Sequence, residues 1–384
     1  MRILHVTNII SPHQLPLARR LASIVGSENF RFAATEPPHA EREKLGWISQ
    51  VNESWILRAG EHEEDRKEFE QWWDEADVVL CGERRFNRIQ DRLDKGKLTF
   101  YMSERWWKPP IGIARLLQPR FALMTLQFLR LTSSPLFHYL PIGVFAERDM
   151  KRIAKFKGGI WQWGYLTEPV ISPQINPRQR NKFKVMWAGR MLAWKRVETL
   201  IKAFARLQQK CSDASLTLIG DGAERIGLEK LANELLIVGS YEFLPSVSAP
   251  KVIELMQQHH VYVLPSNSYE GWGAVLNEAM SVGCTVIASD VTGAAKTMIK
   301  HHHNGLLFQP GNWQMLSDHL ILLAQNDSIR QQLAIQGLDT ITNYWSPAVA
   351  AERFLTVSGA LMLKHDIHEF DNGPMTRLNT TKIN

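Results

Sequence analysis

The sequence predicts two α/β domains, each a Rossmann-like, doubly wound parallel sheet, that face one central cleft. The length of 384 residues is about that of two domains. Short apolar strands alternate with amphipathic helices in both halves of the chain, which is typical of βαβ units. Residues 158–177, rich in Gly, Pro and Trp, interrupt this alternation and are predicted to be a linker. We therefore expect one domain over residues 1–170 and another over residues 171–346.

The positions of apolar residues predict the individual elements of both halves. In the first half they are the strands Ile3–Val6, Val78–Cys81 and Leu98–Tyr101, the helix Gln14–Ile24 and a solvated helix Glu61–Glu75. In the second half they are the strands Val185–Ala188, Leu216–Ile219, Val261–Leu264 and Thr285–Ala288, and helices at Val197–Gln208, Ala274–Ser281, Gln314–Leu323, Ser328–Gln336 and Pro347–Leu363. The polar tail, residues 371–384, is expected to be frayed.

Composition excludes several classes of protein. The 45 Lys and Arg against 39 Asp and Glu give a net charge of +6, and 45% of residues are hydrophobic, which is ordinary globular composition. No apolar run is long enough to span a bilayer, and residues 1–6 are expected to form a buried strand rather than a signal peptide. The three cysteines, Cys81, Cys211 and Cys284, lack metal-site spacing. We expect a cytoplasmic protein without a zinc scaffold.

One segment, residues 105–130, is basic and aromatic. It contains five basic residues and no acidic one, together with Trp106 and Trp107. Apolar burial combined with positive charge suits anionic lipid headgroups, so this segment is a candidate peripheral contact with the inner face of the cell membrane, where Trp106 and Trp107 would meet lipid. The alternative is a core helix whose Arg side chains keep only their tips in water. No nucleic-acid-binding module accompanies the charge, and we expect no nucleic acid partner.

Two carboxylates, Glu270 and Glu278, follow the strand Val261–Leu264, one before a helix and one within it. Carboxylates accept hydrogen bonds from hydroxyls, as sugars and riboses offer them. Gly271 and Gly273 between them allow the backbone to approach a ligand, and the helix amino terminus suits a phosphate. The alternative is a capping carboxylate at Glu270 and a solvated helix residue at Glu278.

A second group lies between the strand Val185–Ala188 and the next helix. Arg190 and Lys195 project from this loop, where they can neutralise a pyrophosphate, Arg by bidentate donation and Lys as a point charge. Two fixed cations would stabilise a departing nucleoside diphosphate without a metal. Such a loop can also be simple solvated surface.

These two stretches resemble the retaining glycosyltransferases of family 4 (glycosyl transferases group 1), which have the GT-B fold. The resemblance runs in order over residues 184–340: Gly189, Arg190, Lys195, the helix Leu200–Phe204, Gly220-Asp221-Gly222, Glu270 to Glu278, Gly283, Val286–Ser289 and Asn304–Phe308. The resemblance implies that the final helix, after Trp345-Ser346-Pro347, crosses back so that residues 347–384 complete the first domain. The first domain would bind the acceptor and the second the donor.

The resemblance also implies roles for individual residues. Arg190 and Lys195 would hold the donor diphosphate, Glu270 the donor sugar and Glu278 the ribose, with Glu270, Arg190 and Lys195 as the catalytic residues. The implied donor-binding residues are Gly189, Arg190, Lys195, Gly220, Asp221, Phe243, Leu244, Glu270, Gly271, Trp272, Gly273, Ala274, Val275 and Glu278, with the base near residues 243–247. Trp272 would pack against the donor or the cleft wall. Members of the family retain the anomeric configuration without a metal, so we expect a UDP- or GDP-linked sugar as substrate and no metal or other cofactor.

The first half departs from the family pattern. The loop after the first strand has no glycine, and His13 and Gln14 stand at the start of the helix as candidate acceptor-binding residues. Glu104 and Arg105 follow the strand Leu98–Tyr101, where relatives often place a histidine, and are candidates as well. The alternatives are helix capping for the first pair and an Arg–Glu ion pair for the second.

Transfer of a sugar to a hydroxyl of a glycan or lipid-linked acceptor, in cell-surface polysaccharide or lipopolysaccharide synthesis, is therefore the predicted function. A nucleotide-sugar epimerase on the same fold would need acid–base carboxylates and histidines that the sequence does not place. A non-catalytic carbohydrate-binding or scaffold protein is disfavoured because Arg190, Lys195, Glu270 and Glu278 are all present. His301-His302-His303 is expected to be a solvated loop rather than a metal site, and Gly220-Asp221-Gly222 lacks the third glycine of a dinucleotide fingerprint.

Overall fold

The computed structural model describes residues 1–37, 51–82, 84–108, 111–169 and 182–379. The chain divides into two compact units, one formed by Met1–Thr167 with Tyr344–Asn384 and the other by Glu168–Asn343. The sequence-based boundaries stand at residues 170 and 346. Within the described residues, no helix has both the length and the apolar character that crossing a membrane requires.

The first unit contains one sheet of eight strands in its described part. They are β1 (Ile3–Thr7), β2 (Phe30–Ala34), β3 (Ile56–Leu57), β4 (Val78–Cys81), β5 (Leu98–Ser103), β6 (Phe137–Pro141), β7 (Gly159–Trp161) and, from the end of the chain, β14 (Arg377–Leu378). Their order is β14-β7-β6-β5-β4-β1-β2-β3. All neighbours are parallel except β14, which runs antiparallel to β7.

The helices of this unit are α1 (Leu15–Val25), α2 (Glu63–Glu75), α3 (Phe86–Asp94), α4 (Pro119–Leu131), α5 (Val144–Lys151) and, from the end of the chain, α13 (Pro347–Leu363). Helix α13 packs on α1, and the ring of its Phe354 lies 4.9 Å from that of Phe100 in β5. The final helix thus returns to the first unit, as the resemblance implies.

Three local expectations for this unit are wrong. Gly159–Trp161, within the predicted linker, forms β7, while residues 170–177 of that linker lie outside the described residues. Helix α2 is not merely solvated, because it buries Phe69, Trp72 and Trp73 on its inner face. The tail is not frayed as far as it is described, because β14 pairs with β7 and Met375 is fully buried.

The tryptophans of the basic segment are buried, so the expectation that they contact lipid is wrong. Trp106 stacks on Phe86, and Trp107 is 2% exposed. The Trp107 indole donates to the carbonyl oxygen of Asp149, whose carboxylate pairs with Arg105. This part of the segment belongs to the core of the first unit.

The second unit contains a six-stranded sheet in its described residues. Its strands are β8 (Lys184–Ala188), β9 (Ser215–Ile219), β10 (Tyr241–Leu244), β11 (Val261–Leu264), β12 (Thr285–Ser289) and β13 (Leu306–Phe308). Its helices are α6 (Val197–Gln208), α7 (Arg225–Leu235), α8 (Ala249–Gln258), α9 (Val275–Ser281), α10 (Gly293–Met298), α11 (Trp313–Gln325) and α12 (Asp327–Asn343). The strand order is β10-β9-β8-β11-β12-β13, and every neighbouring pair is parallel.

The order of these strands reverses between β8 and β11. Connections from β8 run outward through β9 and β10, and then return to β11 on the other side. In an open parallel sheet, the loops beyond the carboxyl ends of two such strands splay apart and leave a crevice for a ligand. The two predicted site loops follow β8 and β11, so the fold places both at this switch point.

Candidate functional site

A three-residue hydrogen-bonded group joins the two loops at the switch point. Lys195 Nζ lies 2.6 Å from Glu270 Oε2, and Ser266 Oγ donates to the same oxygen at 2.8 Å. The Lys195 and Glu270 side chains are 16% and 11% exposed, while Ser266 is fully buried. The predicted diphosphate-binding cation and the predicted sugar-binding carboxylate are therefore in contact, and the alternative that Glu270 only caps a helix does not describe it.

The loop that carries Lys195 is tied to the loop after β11. The Lys195 ammonium lies 4.3 Å from the centre of the Trp194 ring, and the Trp194 carbonyl accepts a hydrogen bond from Asn267 N. Arg196 adopts a left-handed conformation with φ 55° just before α6. Arg190 is exposed, and its guanidinium makes no ion pair with any described residue. Of the two predicted phosphate-binding cations, Lys195 is thus anchored and Arg190 is free of ion pairs among the described residues.

The Gly220–Gly222 loop packs directly on the Gly189 loop. A Cβ atom at Gly220, where φ is 131°, would collide with the carbonyl oxygen of Gly189. Met191 N donates to the Asp221 carbonyl at 2.8 Å, which ties the loops after β8 and β9 together. A Cβ atom at Gly222 would likewise collide with the carbonyl oxygen of Met191, so Gly220 and Gly222 are both needed for this close backbone approach.

Asp221 holds the segment where the base is expected. Its carboxylate accepts a hydrogen bond from Ser246 N at 2.9 Å and pairs with Arg225 at 2.7 Å, and these contacts lower the pKa of Asp221. The Arg225 guanidinium also donates to the Gly220 carbonyl and lies 5.9 Å from the ring of Phe243. Phe243 and Leu244 are partly exposed beside this network.

The loop from Gly271 to Val275 is braced from within. Trp272 is 1% exposed, and its indole donates to Asn277 Oδ1 at 2.9 Å, so its side chain lies inside the unit. The carbonyl of Trp272 accepts from Ala294 N, and that of Gly271 accepts from Gly293 N. Gly273 needs its positive φ of 91°. What this loop can present to a ligand is its backbone, including that of Ala274 and Val275.

Glu278 lies in α9 beneath that loop. Its side chain is partly buried, and loss of solvation raises its pKa to about 7. The buried hydroxyl of Tyr262 donates to the Ala188 carbonyl at 3.0 Å, and the nearby carboxylates of Glu278 and Glu270 contribute to raising the pKa of Tyr262 beyond the effect of burial. Glu278 is thus partly shielded from water rather than a fully solvated helix residue.

The candidate acceptor residues of the first unit separate into two groups. Gln14 shows no side-chain capping bond, and its amide lies 3.9 Å from Met102 Sδ, so the capping alternative is wrong for this residue. Arg105 makes two 3.1 Å contacts with Asp149, so the alternative of a Glu104–Arg105 pair is also wrong. Arg105 is thereby engaged in the core contact, whereas Glu104 remains at the surface.

Glu104 joins a surface cluster with His13. Tyr165 Oη donates to Glu104 Oε1 at 3.0 Å, and Lys108 Nζ donates to Glu104 Oε2 at 2.9 Å. The His13 and Tyr165 rings are 5.8 Å apart. All four residues are partly exposed.

The histidine run lies in a loop of the second unit. The rings of His301 and His302 are 4.0 Å apart, and that of His319 in α11 is 5.5 Å from His301. Across the described ranges, no group of three or more metal-ligating side chains is placed to hold an ion.

Sequence reasoning did not single out Ser266, Tyr262, Tyr165, Asn277 or Gly293 as site residues. Ser266 could have been suspected, because it follows a buried strand and stands four residues before Glu270. Tyr262 and Tyr165 contact partners 74 and 61 residues away. Asn277 accepts from the nearby Trp272 indole, and Gly293 makes a backbone contact, neither of which the residue type signals.

Comparison with protein families finds a match within the second unit. The family model of glycosyl transferases group 1 matches residues 171–339. This segment, less than half of the chain, is similar to that family. The suspected resemblance is confirmed at this level.

Three curated relatives each match over less than half of this chain. An uncharacterized glycosyltransferase of Haemophilus influenzae is 28% identical over 46% of this chain and 51% of its own length. An uncharacterized glycosyltransferase of Methanocaldococcus jannaschii is 30% identical over 41% of this chain and 40% of its own. The phosphatidyl-myo-inositol mannosyltransferase of Mycobacterium leprae is 29% identical over 48% and 49%. The chain thus spans about half the length of the curated relatives it matches, or less.

Solved structures extend the likeness to both units. Anabaena HepE in complex with UDP superposes with a TM-score of 0.68 at 16% identity, covering 92% of this chain and 98% of that one. The lipopolysaccharide outer core galactosyltransferase WaaB superposes with a TM-score of 0.64 at 19% identity, covering 95% and 99%. At these identities the likeness concerns the fold, and it confirms the predicted α/β class of GT-B type with two parallel-sheet domains.

Proposed function

We propose that the protein transfers a sugar, with retention, from a nucleoside diphosphate to a hydroxyl of a glycan or lipid-linked acceptor. The contact between Lys195 and Glu270 at the switch point carries this proposal, since it pairs a phosphate-binding cation with a hydroxyl-binding carboxylate. The family of residues 171–339 supports it. So do relatives named for mannosyl transfer to phosphatidyl-myo-inositol, for poly(glycerol-phosphate) glucosylation and for lipopolysaccharide core synthesis.

The donor would enter with its diphosphate against Arg190 and Lys195. Lys195 would then share its three N–H donors between phosphate and carboxylate, which an ammonium can do without moving far. Glu270 would accept hydrogen bonds from the donor sugar and Glu278 from the ribose. Gly189, Gly220 and the backbone of residues 271–275 would line the pocket, with the base beside Phe243 and Leu244. HepE, which has a similar fold and was solved in complex with UDP-glucose, supports a donor of this kind.

The chemistry requires one bond exchange at the anomeric carbon. The bond from that carbon to the phosphate oxygen breaks, and a bond to the acceptor oxygen forms on the same face. The acceptor proton passes to the departing phosphate oxygen, so no protein nucleophile is needed. Arg190 and Lys195 would stabilise the charge on the leaving diphosphate electrostatically. We expect activity to be unchanged by EDTA.

Nucleotide binding tests the proposal. UDP, GDP, ADP and CMP, with their sugars, would be titrated calorimetrically without metal, and ligand binding would raise the melting temperature. One nucleoside diphosphate and its sugar should bind, and Lys195→Ala and Glu278→Ala should abolish binding. Lys230→Ala and Glu234→Ala, exposed in α7 away from these loops, are the matched controls. Absence of binding by every nucleotide would contradict the proposal.

We further propose that the acceptor is reached at the inner face of a membrane. Helix α4 and the turn before it expose five large apolar side chains: Ile111, Ile113, Leu117, Leu123 and Leu126. On α4, Arg120 and Arg130 flank Leu123 and Leu126 on the exposed face. No acidic residue lies between residues 105 and 130, so anionic lipid is the complementary partner. Each Arg near such a surface contributes about 1 kcal/mol.

Vesicle co-sedimentation tests the membrane contact. The protein should bind phosphatidylglycerol-containing vesicles more than pure phosphatidylcholine vesicles, and less as salt is added. The double variant Leu123→Asp, Leu126→Asp should lose this binding while keeping its melting temperature. Leu363→Asp, at an equally exposed site on α13, is the control. Equal binding by the double variant and the parent protein would contradict this surface.

A further inference from the structure

The cluster of Tyr165, Glu104, Lys108 and His13 lies where the strands of the first sheet end. Glu104 directly follows β5, His13 follows β1, and Tyr165 follows the bridge that Trp163 makes beyond β7. These strands are parallel within one sheet, so their carboxyl ends share one edge. Segments 61 residues apart in sequence, those of Glu104 and Tyr165, are therefore brought into hydrogen-bond contact.

The cluster has the composition of a carbohydrate site. Tyr165 is partly exposed and brings an aromatic ring to the cluster, and the hydrogen bond from its hydroxyl to Glu104 holds that ring in place. The Glu104 and Lys108 side chains are about one third exposed, at 33% and 34%. Each carboxylate oxygen has two lone pairs, so Glu104 can accept hydroxyl hydrogens beyond the two bonds it already receives.

A purely structural role explains the cluster less well. An exposed Lys–Glu pair contributes little to stability, so Lys108 and Glu104 are not needed to hold the fold. The core contact of this segment is made instead by Arg105 and the buried Asp149. The neighbouring residues Glu104 and Arg105 thus have different surroundings. Arg105 pairs with the buried Asp149, whereas Glu104 pairs with Lys108 at the surface.

We propose that Tyr165, Glu104 and His13 form a subsite for a sugar ring of the acceptor. The ring would lie on the Tyr165 face, with its hydroxyls donating to Glu104 and with His13 beside it. This inference rests on the proposed glycosyl transfer and narrows it, because the acceptor would end in a glycosyl residue rather than in a bare lipid or polyol. Tyr165 is the residue that neither the sequence motifs nor the family roles assign.

Sugar binding can be measured without knowing the whole acceptor. Methyl glycosides of glucose, galactose, mannose and N-acetylglucosamine would be screened by saturation-transfer NMR at millimolar concentration. At least one should bind, and Tyr165→Ala should weaken it about tenfold, equivalent to ~1.4 kcal/mol. Tyr165→Phe should keep part of the affinity because the ring face remains, and Glu104→Gln should weaken binding through loss of the charged acceptor. Tyr344→Ala, another exposed tyrosine, is the control and should change nothing.

Nucleotide titration of the same variants separates this inference from the proposed function. Nucleotide binding should be unchanged in Tyr165→Ala, which also shows that the variant is folded. If nucleotides bind but no glycoside does, or if glycoside binding survives Tyr165→Ala, the subsite is wrong and the donor site stands. If glycosides bind through Tyr165 but no nucleotide binds, the sugar-binding site stands, and both glycosyl transfer and the assignment of that site to an acceptor are wrong.

Discussion

Glu278 is predicted to bind the ribose, but its surroundings disfavour the ionised form of its carboxylate. Loss of solvation raises its pKa to about 7, above the ordinary value for a glutamate, so burial disfavours the ionised form. A ribose hydroxyl donating to Glu278 requires that ionised form. Nucleotide affinity should therefore fall below pH 7, approaching tenfold per pH unit for this one group.

Calorimetry of nucleotide binding between pH 5.5 and about 8.5 checks this dependence, within the window that the shifted pKa of about 7 defines. The nucleotide phosphate also titrates, so the comparison is with Glu278→Gln, which retains the ligand's own titration. The difference in slope between the two profiles should vanish above pH 8, where Glu278 is ionised in the free protein, and the affinity advantage of the parent protein should be largest there. Identical slopes in both proteins would remove Glu278 from the ribose site.

Ser266 should act on the reaction through Glu270. Its hydroxyl and the Lys195 ammonium both donate to Oε2, and when a phosphate draws on Lys195 the serine would keep the carboxylate in place. A hydrogen bond to a charged group contributes about 1.5–3 kcal/mol. Ser266→Ala should therefore lower the affinity for the nucleotide sugar at least about tenfold, because one such bond is worth that factor.

The affinity for the nucleoside diphosphate alone shows whether Ser266→Ala misplaces the Glu270 carboxylate or disrupts the fold. It should be unchanged in Ser266→Ala, since the diphosphate is held by other residues. Ser317→Ala, a buried serine in α11 outside the site, is the matched control. Equal losses for the diphosphate and for the sugar nucleotide would mean that Ser266 supports only the fold.

The elements that sequence reasoning predicts well are those whose signal is local. The bounds of β11, α6 and α13 agree residue for residue with the prediction, because each has a continuous apolar pattern and flanking polar or Pro residues. β14 was missed because a two-residue strand exists only through its pairing with β7, more than 200 residues earlier. Burial of Trp107 depends in the same way on Asp149, which no local pattern reveals.

The candidate site, too, could be predicted only where the signal is local in sequence. Lys195 and Glu270 could be named from motifs, and the sheet order explains why they meet. The side chain of Trp272 was expected to pack against the donor or the cleft wall, and it lies buried inside the unit with its indole bonded to Asn277. A residue's place in a motif fixes its position along the backbone, whereas the direction of its side chain is set by partners such as Asn277.

The contact between the loops after β8 and β9 predicts that Gly220 cannot be replaced without loss of nucleotide binding. In Gly220→Ala the new Cβ would strike the Gly189 carbonyl, and φ of 131° is unfavourable for alanine as well. The loops would have to separate, at a cost of about 1–3 kcal/mol of strain, and nucleotide binding should be lost.

Gly227→Ala provides the matched control within the same unit. It lies in α7 with no atom within 4 Å of the added Cβ, so alanine should stabilise by about 0.5–1 kcal/mol. Thermal melts and nucleotide titrations of both variants measure the change in stability and the change in nucleotide affinity. Nucleotide binding by Gly220→Ala with parental affinity would show that the Gly189 and Gly220 loops need not touch in the working site.

The two units of the molecule differ in how the chain builds them, one from a single segment and the other from two. The second unit, Glu168–Asn343, is continuous and has its own hydrophobic core. The first unit needs two pieces, because the fully buried Trp345 and Phe354 come from the end of the chain. The two units should therefore respond in opposite ways to cutting the chain near residue 343.

Expression of residues 168–343 alone should give a folded protein that binds the nucleoside diphosphate, because all predicted donor residues lie within it. A chain that stops at residue 343 should instead lose the first unit, since removing α13 uncovers α1 and the Phe100 ring. Circular dichroism melts and calorimetry on both fragments, with the full chain as reference, measure this. Nucleotide binding that requires residues 1–167 would contradict the assignment of the donor site to one unit. A cooperative melt of the first unit without α13 would contradict the role given to the final helix.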